Sequence, residues 1–165
     1  GAMALTLLTA CGGNAVNDKN IADALNDIVK SSVAVGKHEN YTFKPGTDEQ
    51  AMAKAIAALS ESDRHTTSGK DSEKVMKILG LDESDADEES RFVWWGAVFA
   101  DEIGTAGQAY NVMDKILSKD AVNADKLDGK EPGNIRYIGT ALGTLTIHGK
   151  QTTVRFIVVT AEVEN

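Results

Sequence analysis

The histidines are the first residues to examine for chemistry, because histidine is the side chain that most readily exchanges a proton near neutral pH. The sequence contains three, His38, His65 and His148. His65 is followed by Thr66 and Thr67 in a polar segment, and His148 lies next to a predicted turn. A general base needs a group within about 2.6–3.2 Å of the proton it removes, and the sequence offers neither histidine a recognisable partner. We therefore expect His65 and His148 to contact a ligand or partner rather than to catalyse a reaction.

The spacing of two of these histidines resembles the paired His-x-Thr/Ser motifs of the two-histidine phosphoesterases. His65-Thr66-Thr67 matches the first motif, and His148 follows about 80 residues later. Lys150 stands where the second motif has a hydroxyl residue. In that family the two histidines lie on adjacent strands, one as general base and one as general acid. The resemblance implies a hydrolase as an alternative function.

Residues 82–89 form the most acidic segment, and hard cations such as calcium prefer clustered carboxylates. An EF-hand loop beginning at Asp85 would need glycine at its sixth position and glutamate at its twelfth. Ser90 and Gly96 occupy those positions, so we predict no metal site. The spacings typical of a nucleophile elbow, a Ser-x-x-Lys pair or a phosphate-binding loop do not occur. We expect no cofactor and no enzymatic activity.

The single cysteine, Cys11, follows an apolar run that ends in Leu8-Thr9-Ala10. This stretch resembles the lipobox of bacterial lipoproteins, in which the cysteine is lipidated and becomes the first residue. The resemblance implies a domain at the cell envelope, periplasmic or on the surface, that meets the membrane only through a lipid on Cys11. We assign residues 1–20 to a tag scar, a lipobox remnant and a flexible tether, and residues 21–165 to one globular domain.

A second interpretation concerns the start of the chain. A signal peptide begins with a basic region, and no Lys or Arg precedes Cys11. Met3 would then be the start of a cytoplasmic protein, residues 5–9 would form a first strand, and Cys11 would be a buried or inert thiol.

Composition narrows the classes of partner. The chain has 165 residues, a formal net charge of −8 and a pI near 4.8. Phosphate backbones repel such a surface, and no cluster of Lys and Arg offsets the repulsion, so we expect no nucleic-acid partner. One cysteine cannot form an internal disulfide. We expect a protein partner or a small apolar ligand.

The elements that must position these residues follow from hydrophobic periodicity. A first helix, with Asn17 or Asp18 as its cap, is predicted to precede strands at residues 33–35 and 41–43. A second helix is expected to begin at a capping box, Thr47-Asp48-Glu49-Gln50, in which the threonine and glutamine side chains bond free backbone amides.

The most apolar segment, residues 92–103, is predicted to be a central helix. A helix that is apolar nearly all round is usually buried in the middle of a domain. Trp94 and Trp95 are therefore predicted core residues, with contact to a ligand or partner as the alternative. A short helix ending at Gly80 is expected before this segment, and a second capping box at residues 105–108 after it.

The period changes near the C-terminus from helical spacing to alternation. Residues 141–148 and 154–159 alternate, and Gly149-Lys150 is the expected centre of a type II′ hairpin turn. Strands and helices do not alternate regularly along the chain. The predicted fold class is α+β: a single domain with a helical middle and a C-terminal antiparallel β-hairpin or small sheet.

Two short segments resemble other families. Residues 143–150, followed by Val154-Arg155-Phe156, are similar to the Gly-x-Leu-Thr-Ile-His-Gly hairpin of the lipocalin-like polyisoprenoid-binding proteins. The predicted helices depart from that all-β barrel, so neither its fold nor its ligand is carried over. Residues 124–130 are similar to a segment of phage tail-fibre proteins, which leaves a phage or prophage origin open.

These features together favour a non-catalytic, lipid-anchored envelope domain that binds a protein partner or a small ligand. Prophage exclusion and immunity lipoproteins are of this type. An intracellular phage-type protein acting in virion assembly or against host defence is the first alternative. A two-histidine hydrolase is the second.

Overall fold

The structure, a computed structural model, describes residues 16–34, 40–65, 70–82 and 90–164. Several predictions made above fall on residues outside these ranges. They concern the lipobox with Cys11, the alternative strand at residues 5–9, His38, the two threonines after His65, and the acidic residues 83–89.

The described chain forms four α-helices and five strands. The helices are α1 (Asp18–Ala34), α2 (Thr47–Ala58), α3 (Glu73–Ile78) and α4 (Thr105–Asn111), and a π-helical turn, Val112–Ile116, continues α4. The strands are β1 (Thr42–Pro45), β2 (Arg91–Phe99), β3 (Glu131–Pro132), β4 (Ile135–Ile147) and β5 (Lys150–Glu164). Short 3-10 turns lie at Glu61–Asp63 and Ala124–Leu127.

The strands form one mixed sheet in the order β1-β4-β5-β2. β5 pairs antiparallel with β4 on one side and with β2 on the other, and β1 runs parallel to β4. The two-residue β3 pairs with the last part of β5. The predicted α+β class, with a C-terminal antiparallel hairpin in a single domain, is confirmed.

Helices cover both faces of this sheet. On one face, α1 and α4 pack against the sheet through Leu25 and Ala109, among other side chains. On the other face, α2 and α3 do so through Ile56 and Val75. The central strand β5 contributes alternate side chains to the two clusters and is buried from residue 154 to residue 161. A strand buried on both faces reads as a nearly continuous apolar run, as β5 does.

The predicted helix at residues 92–103 is wrong, because residues 91–99 form strand β2. Phe92, Trp94 and Val98 face the α1–α4 side, whereas Val93 and Trp95 face the α2–α3 side. Because both faces of the sheet are covered, this strand is apolar on both sides. Its composition therefore resembles that of a buried helix, and periodicity does not separate the two.

The turn of the hairpin lies one residue earlier than predicted. Ile147 pairs with Lys150, so His148 and Gly149 are the central residues. Their φ angles are 52° and 78°. Positive φ at both central positions defines a type I′ turn, which matches the right-handed twist of the strands. The type II′ turn at Gly149-Lys150 is therefore wrong.

The ends of the helices agree with local sequence in part. Asn17 caps α1, since its Oδ1 accepts a hydrogen bond from the Asn20 amide at 3.0 Å. Gly80, with φ of 73°, follows the end of α3 as predicted.

The strand predicted at residues 33–35 is wrong, because α1 continues through residue 34 and Val35 lies outside the described residues. α1 also begins at Asp18, within the segment assigned to the tether.

Neither capping box forms. Glycines, Gly46 and Gly104, occupy the N-cap positions of α2 and α4, and no side chain caps either helix. The Gln108 side chain instead donates to the Ile103 carbonyl at 2.7 Å, and the Glu49 carboxylate accepts from the Thr160 hydroxyl at 2.8 Å. A backbone carbonyl five residues away therefore holds the first of these side chains, and a residue of β5 holds the second.

Candidate functional site

A cleft of about 540 Å³ lies beside strand β2, and we call it the β2 cleft. Three parts of the chain surround it: the segments on either side of residues 66–69, the π-helical turn with the residues after it, and the β4–β5 hairpin. Its apolar lining includes Trp95, Ala97, Leu145 and Phe156. This combination of an apolar lining with a few polar groups is typical of ligand sites.

His65 and Trp95 form an aromatic wall of the cleft. Their rings are stacked with centroids 5.5 Å apart and an interplanar angle of 28°. An isolated β-bridge to Asp71 holds His65 in place, and the Ser72 amide donates to the Arg64 carbonyl at 3.0 Å next to it. His65 Nε2 lies 3.9 Å from Asp71 Oδ1, which is beyond hydrogen-bond distance. The two side chains are therefore not arranged as a hydrogen-bonded His–Asp pair.

Arg64, the residue before His65, also lines the cleft and is only 3% exposed. Its Nε donates to the Ile56 carbonyl at 3.0 Å, and its Nη2 donates to the carbonyls of Ala57 and Leu59 at 2.9 and 2.7 Å. These carbonyls belong to the C-terminal end of α2, where helical acceptors lack intrahelical partners. The guanidinium carbon is 4.3 Å from the centroid of the Phe156 ring.

One nitrogen of Arg64 is not used by this arrangement. Nη1 is buried and has no hydrogen-bond acceptor among the described residues. Burial lowers the pKa of the Arg64 guanidinium from its ordinary value, because desolvation penalises the charged form. A buried donor without an acceptor costs about 1–3 kcal/mol. An acceptor supplied by a ligand in the cleft would remove this penalty.

Two exposed lysines, Lys115 and Lys119, line the opposite side of the cleft. The π-helical turn brings this segment close to β2: a Cβ added at Gly96 would lie 2.9 Å from Ile116 Cγ1. The Trp94 indole N–H donates to the Lys119 carbonyl at 3.1 Å. Single π-helical turns occur frequently at functional sites. Cations therefore lie on both sides of the cleft, together with the carboxylates of Asp71 and Asp120, on a chain with net negative charge.

The structure brings together three of the four residues predicted to contact a ligand or partner. His65, Trp94 and Trp95 all line the β2 cleft, although the Trp94 side chain is mostly buried and stacks on Phe92 with ring centroids 6.0 Å apart. His148 lies at the tip of the hairpin and is not among the lining residues.

The residues that sequence reasoning missed are the cations Arg64, Lys115 and Lys119. Arg64 carries no local signal, because its role depends on carbonyls of α2 and on a ring from β5. The two lysines are four residues apart, a spacing typical of one helix face. That spacing would have indicated that the two lysines share one surface, but not that this surface lies across the cleft from Arg64.

A second cleft, of about 390 Å³, lies on the α1–α4 side of the sheet. It is lined largely by apolar and aromatic side chains such as Tyr41, Tyr110 and Met113, and the Arg136 guanidinium carbon lies 3.8 Å from the centroid of the Tyr41 ring. Trp94 lines both clefts. This second cleft suits an apolar group. Unlike the β2 cleft, it contains no unsatisfied buried side-chain donor among its described lining residues.

Within the part of the chain that the structure describes, no group of three or more His, Cys, Asp and Glu residues could hold a metal ion. No helix there is both long and apolar enough to cross a bilayer. Comparison with known proteins finds no matching family model, no similar curated protein and no similar solved structure.

Proposed function

We propose that this chain is a non-catalytic domain, held at the cell envelope by a lipid on Cys11, that binds a protein partner or a small ligand in the β2 cleft. The observation that carries the binding role is the composition of the cleft. It combines an aromatic wall, cations on two sides and a buried Arg64 donor that has no acceptor among the described residues. These groups favour an occupant with an apolar body and an anionic group.

The absence of a catalytic role is supported by the geometry around His65. His65 Nε2 lies 3.9 Å from Asp71 Oδ1, and His148 belongs to the hairpin tip rather than to the cleft lining. A pair of histidines acting as acid and base would have to flank one reacting group. Binding therefore accounts for the cleft better than hydrolysis does.

The anchor is tested through Cys11. The gene, with its upstream sequence, is expressed in a Gram-negative host that is fed labelled palmitate. We expect the protein to incorporate the label and to enter the membrane fraction, and Cys11→Ser to abolish both. A wild-type protein that remains unlabelled and soluble would contradict the anchor and favour the intracellular alternative.

The binding role is tested by photo-crosslinking in the native host. A photoreactive amino acid replaces Lys115, which is exposed at the rim of the cleft, or Lys19, an exposed residue of α1 that lines neither cleft. We expect a discrete cross-linked product from position 115 and none from position 19, with loss of the product when Trp95→Ala is added. Equal labelling from both positions, or none from position 115, would contradict binding of a partner in the cleft.

A further inference from the structure

Strand β2 lies at an edge of the sheet, and one part of that edge has partners. The Val93 amide donates to Asn123 Oδ1 at 3.2 Å, and the Val93 carbonyl accepts from the Val122 amide at 2.7 Å. The Arg91 carbonyl accepts from Asn123 Nδ2 at 2.7 Å. These odd-numbered residues therefore direct their backbone groups away from β5.

The same alternation fixes the direction of the next residues. In an antiparallel ladder, the backbone groups of every second residue point to the same side. The Ala100 amide donates to the Thr153 carbonyl at 3.1 Å, which confirms that even-numbered residues face β5. Trp95 and Ala97 accordingly direct their N–H and C=O groups outward, beside the β2 cleft that both residues line. No described residue bonds these backbone groups.

We propose that this open edge, residues 95–97, accepts an extended segment of a partner protein as an added strand, with an Asp or Glu side chain of that segment directed at Arg64. This inference rests on the proposed binding function and specifies its occupant. Strand addition to an exposed edge is a recurring mode of peptide recognition, in which the backbone supplies affinity and pockets supply specificity.

The spacing of the open groups favours a peptide over a small molecule. Residues 95 and 97 are separated by roughly 6.7 Å along the strand, which is the repeat of an extended polypeptide at about 3.3–3.4 Å per residue. A peptide strand bonds both residues in register. A compact ligand of the same volume would leave one of them without a partner.

The charges around the edge specify the chemistry of the segment. Trp95 and Arg64 belong to the side of the sheet packed by α2, and Lys115 and Lys119 lie toward the α4 side. Side chains of an added strand alternate between these two sides. A carboxylate on the first side would give Arg64 Nη1 its missing acceptor, and acidic residues on the second side would meet the two lysines. Asp71 and Asp120 also line the cleft, but Arg64 Nη1 has no acceptor among the described residues. A segment with an acidic residue on the first side therefore fits.

The test begins with a phage-displayed library of random twelve-residue peptides, selected on the folded protein. We expect the selected peptides to be enriched in Asp and Glu. Ala97→Pro removes an outward N–H without removing any hydrogen bond to β5, and we expect it to weaken binding roughly tenfold, as for loss of about 1.4 kcal/mol. Ala97→Val is the matched control, because valine has nearly the volume of proline and keeps the N–H.

A second measurement keeps the proposal testable if Ala97→Pro fails to fold. The best selected peptide is N-methylated at one backbone position at a time. We expect alternating loss and retention of affinity, because only every second amide of an added strand faces β2. Replacing its acidic residue by Gln or Lys should weaken binding to the wild type, and Lys115→Glu should weaken binding of the unmodified peptide.

Several outcomes would overturn strand addition. These are a selection without binders, equal binding to Ala97→Pro and Ala97→Val, a uniform effect of N-methylation, or selected peptides that are basic. Slow hydrogen exchange of the Trp95 and Ala97 amides in the free protein, equal to that of Trp94 and Gly96, would also overturn it. If strand addition fails while photo-crosslinking from position 115 persists, the proposed binding function stands; if that crosslink is absent, the binding function itself is wrong.

Discussion

Two buried arginines differ in how their donors are used. Arg155, 4% exposed, donates from Nε to Gln108 Oε1, from Nη1 to Thr140 Oγ1 and from Nη2 to the Val16 carbonyl, at 2.7–3.0 Å. Every nitrogen of Arg155 therefore has an acceptor, whereas one nitrogen of Arg64 has none among the residues that the structure describes. Burial lowers the pKa of both groups. At the scale of single residues, the fold supplies all the acceptors that the Arg155 guanidinium needs, but only some of those that the Arg64 guanidinium needs.

Tryptophan and phenylalanine on β2 should differ in their contribution to stability. Trp94 is 7% exposed and bonded to the Lys119 carbonyl, whereas Phe99 is 45% exposed. We expect Trp94→Ala to lower the free energy of unfolding by about 3–5 kcal/mol and Phe99→Ala by less than about 1 kcal/mol. Urea unfolding followed by circular dichroism measures both. Equal losses would contradict the strand assignment of the two side chains.

His65 and His148 should not form a phosphodiesterase active site. His65 contributes to a cleft wall and His148 to a turn, so they are not arranged about one reacting group. We expect neither the wild type nor the double variant His65→Ala, His148→Ala to hydrolyse cyclic nucleotides or model phosphodiesters. Turnover by the wild type that disappears in the double variant would favour the two-histidine hydrolase over the proposed binding function.

At the scale of elements, α2 is held directly against β4. The contact depends on Gly139, because a Cβ there would lie 1.9 Å from the Gln50 amide nitrogen and 2.1 Å from the Glu49 carbonyl carbon. The backbones therefore touch without an intervening side chain. This close approach holds the N-terminal part of α2 against β4, and carbonyls at the other end of the same helix accept from the Arg64 side chain, which lines the β2 cleft.

Gly139→Ala should consequently destabilise the protein strongly. The added methyl group meets backbone atoms that cannot rotate away, and we expect a loss of at least about 2 kcal/mol in the free energy of unfolding. Gly104→Ala is the control, because nothing lies within 4 Å of its added Cβ and its φ is −81°. We expect that control to change stability by less than about 1 kcal/mol. Thermal and urea unfolding compare the two, and similar losses would contradict the close contact.

At the scale of the whole molecule, Arg155 connects parts that are distant in sequence. It joins Val16, two residues before α1, as well as helix α4 and strand β4 to the central strand, across 139 residues in the case of Val16. Asp18 completes this network by accepting from the Thr140 hydroxyl at 2.6 Å. In the lipid-anchored form that we propose, this network would lie where the tether from Cys11 meets the folded domain.

Arg155→Met should therefore loosen the start of α1 as well as lower overall stability. Removing the guanidinium leaves buried acceptors without their donor, and we expect a loss of about 3 kcal/mol. Hydrogen exchange of the Ile21 amide, which bonds the Asn17 carbonyl at 3.0 Å, should accelerate more than that of Val158 in β5. Lys19→Ala removes only an exposed pair with Asp23 and should change stability by less than about 0.5 kcal/mol. Unchanged exchange at Ile21 in Arg155→Met would contradict the network.

Local patterns in the sequence were sufficient for several features of the fold. Asn17 was predicted as a possible cap, Gly80 as the residue after a helix, and alternation over residues 141–148 and 154–159 as a hairpin, and all three are confirmed. Caps and hairpins depend on residues within a few positions of one another, so a short stretch of sequence is enough to predict them. The α+β class follows from the same observations.

The identity of β2 required the whole fold. Residues 92–98 are apolar on both sides because helices cover both faces of the sheet, and a buried helix has the same composition. Pairing decides between them: nine consecutive residues of β2 lie opposite β5, from Glu162 back to Val154. That partner is more than 50 residues away in the chain, beyond the reach of any local pattern.

Some residues of the candidate site could likewise be predicted from the sequence, and others became evident only from the tertiary structure. His65, Trp94 and Trp95 could be selected from the sequence because of their residue types, whereas Arg64 and Lys115 could not. Arg64 matters because carbonyls at the end of α2 accept from two of its nitrogens, while the third is buried and has no acceptor in the described part of the chain. The open backbone groups of residues 95–97 matter because β2 is an edge strand. Residue type is a local property, but burial, unpaired donors and sheet edges arise only when distant segments pack together.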